Sequence, residues 1–150
     1  MSHATIMETH LIEQQGARAI PVSKARLWAG RAISGLVVLF LTFDGAFKFT
    51  NSAPLVGAFA HVGWPIDLAP VIGTILLACT ALYAIPRTAI LGAVLLTGYL
   101  GGAVATHLRA GDPLFSHILF PTYMGALLWT GLYLRDRRLR VLIQPEGDRI

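Results

Sequence analysis

The stretch that decides the fold is TGYLGGAVATHLRAGDPLFSH, residues 97–117, in which one apolar segment ends and the next begins. The glycines of the first segment are Gly98, Gly101 and Gly102. Glycines at this spacing are typical of close helix packing in membranes. A polar turn through residues 111–113 follows, so His107 and His117 are expected at the same end of two consecutive helices. The stretch therefore predicts close helix packing at its glycines and a polar site at the end of the helices where the two histidines lie.

Composition places the chain among membrane proteins. Hydrophobic residues make up 55% of its 150 residues and charged residues 13%, and the mean hydropathy is +0.63, outside the range of ordinary soluble domains. The net charge is +4, but the basic residues are concentrated in the two tails and one turn, which favours orientation in a bilayer over nucleic-acid binding. Cys79 is the only cysteine, which excludes an intrachain disulfide and a Cys-x-x-Cys redox pair.

Apolar segments of spanning length predict an all-α membrane protein with four transmembrane helices in an antiparallel bundle. The segments are residues 27–49, 68–85, 88–107 and 114–134. A short interfacial helix is expected around residues 55–61 in the first outer loop, because that loop is too short and too rich in Gly and Pro to span. The transmembrane domain then covers residues 27–142, between a polar and mobile N-terminal tail, 1–26, and a polar C-terminal tail, 143–150.

The distribution of positive charge predicts the orientation. If the tails and the turn at residues 86–87 are inside, ten of the twelve Lys and Arg lie there, and Lys48 and Arg109 lie outside. This asymmetry is the one that the positive-inside rule requires. We therefore predict a multi-pass protein with both termini in the cytoplasm and the lipid bilayer as its surroundings.

Counting residues along the helices predicts a polar layer near the outer boundary. At about 1.5 Å of rise per residue, Asp44 and Lys48 of the first helix, His107 of the third and His117 of the fourth come to one depth. An intramembrane carboxylate usually marks a pathway or a pairing, and Asp44 and Lys48, four residues apart, can form an ion pair. The histidines fit proton exchange as well as a polar helix end at an interface.

Five motifs carry a resemblance to a known family. They are W-x-G-R-x-x-S-G (28–35), F-D-G-x-x-K (43–48), PRTAILGAVLLTGYLGGAVATH (86–107), G-D-P-L-F-S-H (111–117) and L-W-x-G-L-Y-L-R-D (128–136). Through them the chain resembles the DoxX-like family of small bacterial membrane proteins over about residues 27–142. The resemblance implies a four-helix bundle in the inner membrane. For some relatives it implies a subunit of a thiosulfate:quinone oxidoreductase, or a link to thiol and quinone redox chemistry.

The leading hypothesis is a redox-associated subunit with an outward-facing polar pocket near a quinone-type head group. Asp44 and His107 would handle protons, as the catalytic pair, while Lys48 would hold Asp44 ionised and His117 would orient the head group. The other ligand-binding candidates are Tyr99 and Arg109. No His-x-x-x-His or Glu-x-x-His spacing occurs, so no metal site is predicted. A quinone is the one cofactor considered.

Two other hypotheses remain open. The first is a structural or assembly partner whose glycine faces bind other helices, in a homo-oligomer or in a larger membrane redox complex. The second is a small-solute transporter, although four helices form a thin pathway unless several copies assemble. No nucleophile elbow, phosphate loop, dinucleotide fingerprint or haem motif occurs, so nothing indicates a self-contained enzyme.

Overall fold

The computed structural model describes residues 23–143. Most of the predicted N-terminal tail and all but one residue of the predicted C-terminal tail lie outside the described residues. Within them, all regular structure is helical, which confirms the all-α class. The long helices are α1 (Lys24–Phe47), α3 (Ala69–Ala84), α4 (Ala89–Ala110) and α5 (Phe120–Arg135). The shorter elements are α2 (Ala53–His61), α6 (Arg137–Ile143), a 3₁₀ turn (Ile66–Leu68) and a π-helical turn (Leu114–Ile118).

Proline and glycine set several helix boundaries. Pro54, Pro70 and Pro121 occupy the first turns of α2, α3 and α5, where a missing backbone N–H costs no helical hydrogen bond. Gly111 ends α4 in the left-handed conformation, with φ at 74°, a conformation that glycine adopts without steric cost. The chain therefore turns directly after α4 and brings residues 112–118 back over the end of the bundle.

The four long helices form a ring in which α1 and α4 each contact both α3 and α5. Neighbouring helices run antiparallel. A Cβ atom at Gly30 would lie 2.8 Å from Leu134, whereas one at Gly131 would lie 2.7 Å from the Ser34 hydroxyl, so α1 and α5 run in opposite directions. The antiparallel bundle predicted from the sequence is therefore the observed arrangement of the described helices.

The predicted fourth span, residues 114–134, is divided in the structure. Its first part is the π-helical turn, and α5 begins only at Phe120 and has 16 residues, fewer than the roughly 20 that a bilayer core requires. Three helical segments of the described chain are long and apolar enough to cross a membrane: Lys24–Phe47, Ile66–Ala84 and Ala89–Ala110. Whether the fourth segment also crosses stays a prediction.

Large apolar side chains cover the outside of the ring as well as its core. Val37, Leu76, Leu96 and Leu128 are almost completely buried between the helices. Others of the same kind are at least 40% exposed on the outer faces, among them Trp28, Leu39, Phe43, Leu91 and Leu127. An apolar exterior of this extent is typical of a surface that contacts lipid.

The closest helix contacts are made at glycines other than the predicted ones. A Cβ atom at Gly92 would overlap the backbone nitrogen of Tyr83, so α3 and α4 meet backbone to backbone there. By contrast, a Cβ atom at Gly98, Gly101 or Gly102 would meet nothing within 4 Å. Within the described bundle these three glycines therefore make no close helix contact, and their part in packing against another helix stays a prediction.

The two ends of the bundle differ in chemistry. We call the end where α1 begins and α3 and α5 finish the arginine end, and the opposite one the cavity end. At the arginine end, Arg135 donates a hydrogen bond to the Tyr83 carbonyl (2.8 Å) and its guanidinium lies 4.8 Å from the Tyr83 ring. Arg140 donates to the Leu134 carbonyl (2.9 Å). These cations satisfy carbonyls at the C-terminal ends of α3 and α5.

Candidate functional site

A cavity of about 580 Å³ lies at the cavity end, between α1, α4, α5 and the short helix α2. Its wall is mainly apolar and includes Phe40, Leu41, Leu55, Phe59, Ile72 and Met124. Leu55 and Phe59 anchor α2, since both are buried in a cluster with Ala69. The volume is in the range of small-molecule sites, which are largely apolar with a few placed polar groups.

An ion pair forms the polar part of the α1 wall. Lys48 Nζ lies 2.7 Å from Asp44 Oδ2 and also donates to the Asp44 carbonyl at 3.4 Å. The Lys48 side chain is only 12% exposed and that of Asp44 39%. The predicted pairing of these two residues is therefore confirmed, and both line the cavity.

Tyr99 and the glycines on either side of it form part of the α4 wall. Gly98 and Gly102 line the cavity together with Tyr99. Because neither glycine has a side chain and a Cβ at either would meet nothing within 4 Å, the wall is open beside the Tyr99 ring. No hydrogen bond joins the Tyr99 hydroxyl to another described residue, so it is available to a ligand.

Three polar side chains form a hydrogen-bonded cluster at the end of α4: His107, Asp112 and His61. His107, which lines the cavity, has its Nδ1 at 2.6 Å from Asp112 Oδ2. His61, the last residue of α2, has its Nε2 at 2.7 Å from Asp112 Oδ1. The Asp112 side chain is 7% exposed. Hydrogen bonds from His107 and His61 hold the pKa of the Asp112 carboxyl below its usual range, so it is ionised at neutral pH.

No role is predicted for Asp112 from the sequence, although a signal is present. An aspartate that directly follows the glycine ending a helix lies over that helix end, where His107 also lies. What the sequence does not show is that α2 folds back and brings His61 to the same carboxylate. Within residues 23–143, no three His, Cys, Asp or Glu side chains are placed to hold a metal ion.

Two predicted ligand-binding residues lie outside the cavity wall. The His117 ring lies edge-on to the His107 ring, with 5.9 Å between centroids, and its Nδ1 lies 2.8 Å from the Ser116 hydroxyl. Arg109 donates a hydrogen bond to the Val62 carbonyl and so ties the loop after α2 to the end of α4. Their contact with a ligand stays a prediction, whereas Asp44, Lys48 and His107 surround one space.

Comparison with known proteins decides the family. A family model described as DoxX-like matches residues 32–131. The chain belongs to the DoxX-like family. No curated protein and no solved structure matches this DoxX-like chain. The matched region begins in α1 and ends in α5, so it includes the long helices that build the cavity. Family membership and the three long apolar helices together indicate a membrane protein.

Proposed function

We propose that this DoxX-like protein binds a ligand with a quinone-type head group in the cavity, as a redox-associated membrane subunit. The observation that carries the proposal is the composition of the cavity wall, in which an apolar surface surrounds Asp44, Lys48, Tyr99 and His107. A quinone ring is flat and apolar and carries oxygens at its edge, so it suits a wall with few polar groups. Quinone-linked chemistry among relatives, implied by the resemblance, favours the same head group.

The polar residues of the wall have distinct roles in this proposal. The Lys48 ammonium and the Tyr99 hydroxyl donate hydrogen bonds to the head-group oxygens. Lys48 also pairs with the Asp44 carboxylate, whose Oδ2 lies 2.7 Å from the Lys48 Nζ. Asp44 and His107 accept and return protons during exchange with the head group.

The proposal includes an orientation in the bacterial inner membrane. The antiparallel bundle brings the basic residues of α1, α5 and α6 to the arginine end, and the positive-inside rule assigns that end and both termini to the cytoplasm. The cavity then faces the outer side and α2 lies at the outer interface. The π-helical turn and α5, residues 114–135 together, supply the length of the fourth crossing.

Quinone quenching of Trp64 fluorescence tests the proposal, because Trp64 lines the cavity. Purified protein with Trp28→Phe and Trp129→Phe, which keeps Trp64 alone, is titrated with decylubiquinone. We expect saturable quenching, and loss of that quenching in Gly102→Leu, whose side chain would fill the cavity. The matched control is Gly101→Leu, one residue away on the face outside the cavity, which should bind as the parent does.

Two results would contradict the proposal. One is the lack of saturable quenching in the parent protein. The other is unchanged binding in Gly102→Leu when circular dichroism shows that the variant is folded, because a leucine in the wall is incompatible with a ligand at that place. Leucine favours helix over glycine, so misfolding of α4 itself is not expected.

A second function is favoured by the open face of α4 and α5. A groove of about 280 Å³ runs between these helices and is lined by Gly101, Gly125 and Trp129. We propose assembly with another helix along this groove as the alternative. It predicts that Gly101→Leu abolishes oligomers detected by native mass spectrometry while Gly102→Leu retains them, the reverse of the quinone-binding result.

A further inference from the structure

We infer that Asp112 is a positioning residue that presents His107 to the cavity as a hydrogen-bond acceptor, so that the cavity takes a hydroxyl-bearing head group, a hydroquinone, at this point. The inference deepens the proposed function and rests on it for the identity of the ligand. The role of Asp112 itself can be tested without any ligand.

The geometry around Asp112 fixes the proton on His107. One carboxylate oxygen lies 2.6 Å from His107 Nδ1 and the other 2.7 Å from His61 Nε2. An ionised carboxylate only accepts hydrogen bonds, so both ring nitrogens must carry protons. In neutral His107 the proton is then on Nδ1, and Nε2 has a free lone pair. Within the described residues His107 Nε2 makes no hydrogen bond.

The surroundings of Asp112 favour the hydrogen bonds of its carboxylate with the imidazoles of His107 and His61. It is 7% exposed, and α2 and α4 each direct one histidine at it. The other charged or titratable groups around His107 are His117, whose ring contacts it, and Asp44, Lys48 and Tyr99, which line the same cavity; Arg109 lies two residues further along α4. Arg109 donates to the Val62 carbonyl and Lys48 to Asp44. The histidine hydrogen bonds also lower the pKa of Asp112, so the carboxylate stays ionised throughout the neutral range.

The lone pair on His107 selects between two forms of the same head group. A quinone carbonyl has only lone pairs to offer, so it cannot bond to Nε2 of neutral His107. A hydroquinone hydroxyl donates to Nε2. The difference is about one hydrogen bond, which corresponds to roughly threefold to tenfold in affinity. The preference should appear at pH 8.5, where an ordinary imidazole is neutral.

Nitrogen-15 NMR of histidine-labelled protein tests the positioning role. We expect His107, assigned with His107→Gln, to carry its proton on Nδ1 at pH 8.5, and Asp112→Ala to release it to the Nε2-protonated form. The control is His61→Gln, which removes the other partner of Asp112 and should leave the His107 tautomer unchanged. An Nε2-protonated His107 in the wild-type protein would overturn the inference, and this measurement needs only the assignment variant, His107→Gln, to fold.

Binding of decylubiquinol and of decylubiquinone, compared anaerobically at pH 8.5, tests the ligand preference. The wild type should bind the quinol about threefold to tenfold more tightly, and the ratio should fall to about one in Asp112→Ala but not in His61→Gln. Equal binding of both forms by the wild type would overturn the preference. If neither form binds, the proposed function fails and the preference with it, whereas the NMR result still decides the role of Asp112.

Discussion

The arginine end and the cavity end are built from the same four helices but are stabilised differently. At the arginine end, glycines allow backbones to touch, and the buried Tyr83 hydroxyl donates to the Leu128 carbonyl (2.9 Å) and meets the Ser34 hydroxyl at 3.0 Å. At the cavity end, the polar contacts surround an open space, and Asp44 and His107 are 39% and 31% exposed. From this contrast we predict that the arginine end contributes more to stability than the cavity end does.

The glycines of α4 show this division within a single helix. Gly92 is in contact with α3, whereas a Cβ atom at Gly98, six residues nearer the cavity end, would meet nothing within 4 Å. Within α4, the same residue type therefore permits packing at one end and leaves space at the other. Four predictions, from the largest expected effect to the smallest, test this division.

Replacing Gly92 by alanine should have the largest effect. The new methyl group would overlap the Tyr83 backbone, which cannot move aside as a flexible side chain can, so we expect a loss of about 3 kcal/mol or more in the free energy of unfolding. SDS titration in mild detergent measures it. The matched control, Gly98→Ala in the same helix, should be neutral or stabilising by about 0.5–1 kcal/mol. Equal losses in both variants would remove the distinction between the ends.

Removing the Tyr83 hydroxyl should have the next largest effect. Tyr83→Phe leaves the Ser34 hydroxyl buried without its partner, and we expect a loss of about 1–2 kcal/mol in the free energy of unfolding. Tyr123→Phe on α5 is the control, since Tyr123 is 47% exposed. An unchanged unfolding curve for Tyr83→Phe would mean that the buried hydrogen bonds of the arginine end add nothing to stability.

At the cavity end, Asp44→Asn should change binding more than stability. The substitution removes the carboxylate that holds the Lys48 ammonium in the cavity wall, so we expect decylubiquinone affinity to fall about threefold and the free energy of unfolding to change by less than about 1 kcal/mol. Asp67→Asn, at an exposed aspartate of the 3₁₀ turn, is the control. A large loss of stability with intact quinone binding would mean that Asp44 contributes to folding and not to the ligand site.

The smallest effect is the pH dependence of the Asp112 contacts. Because its folded-state pKa is lowered, Asp112 contributes stability at pH values above its ordinary pKa of about 3.9, and this contribution is lost as the pH falls through the lowered value. The stability difference between wild type and Asp112→Ala should therefore persist from pH 7 to pH 5 and disappear only in stronger acid. Thermal unfolding of both proteins at pH 7, 5 and 3 measures this stability difference. If the difference were lost by pH 5, it could not arise from the lowered pKa of Asp112.

Much of the fold could be predicted because hydropathy and helical rise act along the chain. Three of the long helices begin and end within three residues of the predicted spans. Asp44 and His107, which were predicted at one depth, both line the cavity. The ion pair of Asp44 and Lys48 followed from their spacing. These inferences need only distances along a helix, which follow from the number of residues between two positions.

The remaining features depend on the direction of side chains around each helix and on the paths of loops. The His117 ring lies edge-on to the His107 ring and does not line the cavity, and Arg109 donates to the Val62 carbonyl in the loop after α2. The pairing of Asp112 with His61 could not be predicted, because it depends on α2 bringing His61 to the end of α4. The break before α5 follows from Pro121 and the π-helical turn, a local backbone effect that the apolar composition of the segment obscures.

The packed core below the cavity has a consequence for the passage of small molecules through the bundle. One helical turn below the wall residues Leu41, Leu100 and Met124 lie Val37, Leu96 and Leu128, which are 2%, 0% and 0% exposed. In the part of the chain that the structure describes, these three side chains pack together between the cavity and the arginine end. Through the described part of a single copy, this packed core therefore leaves no passage from the cavity to the arginine end.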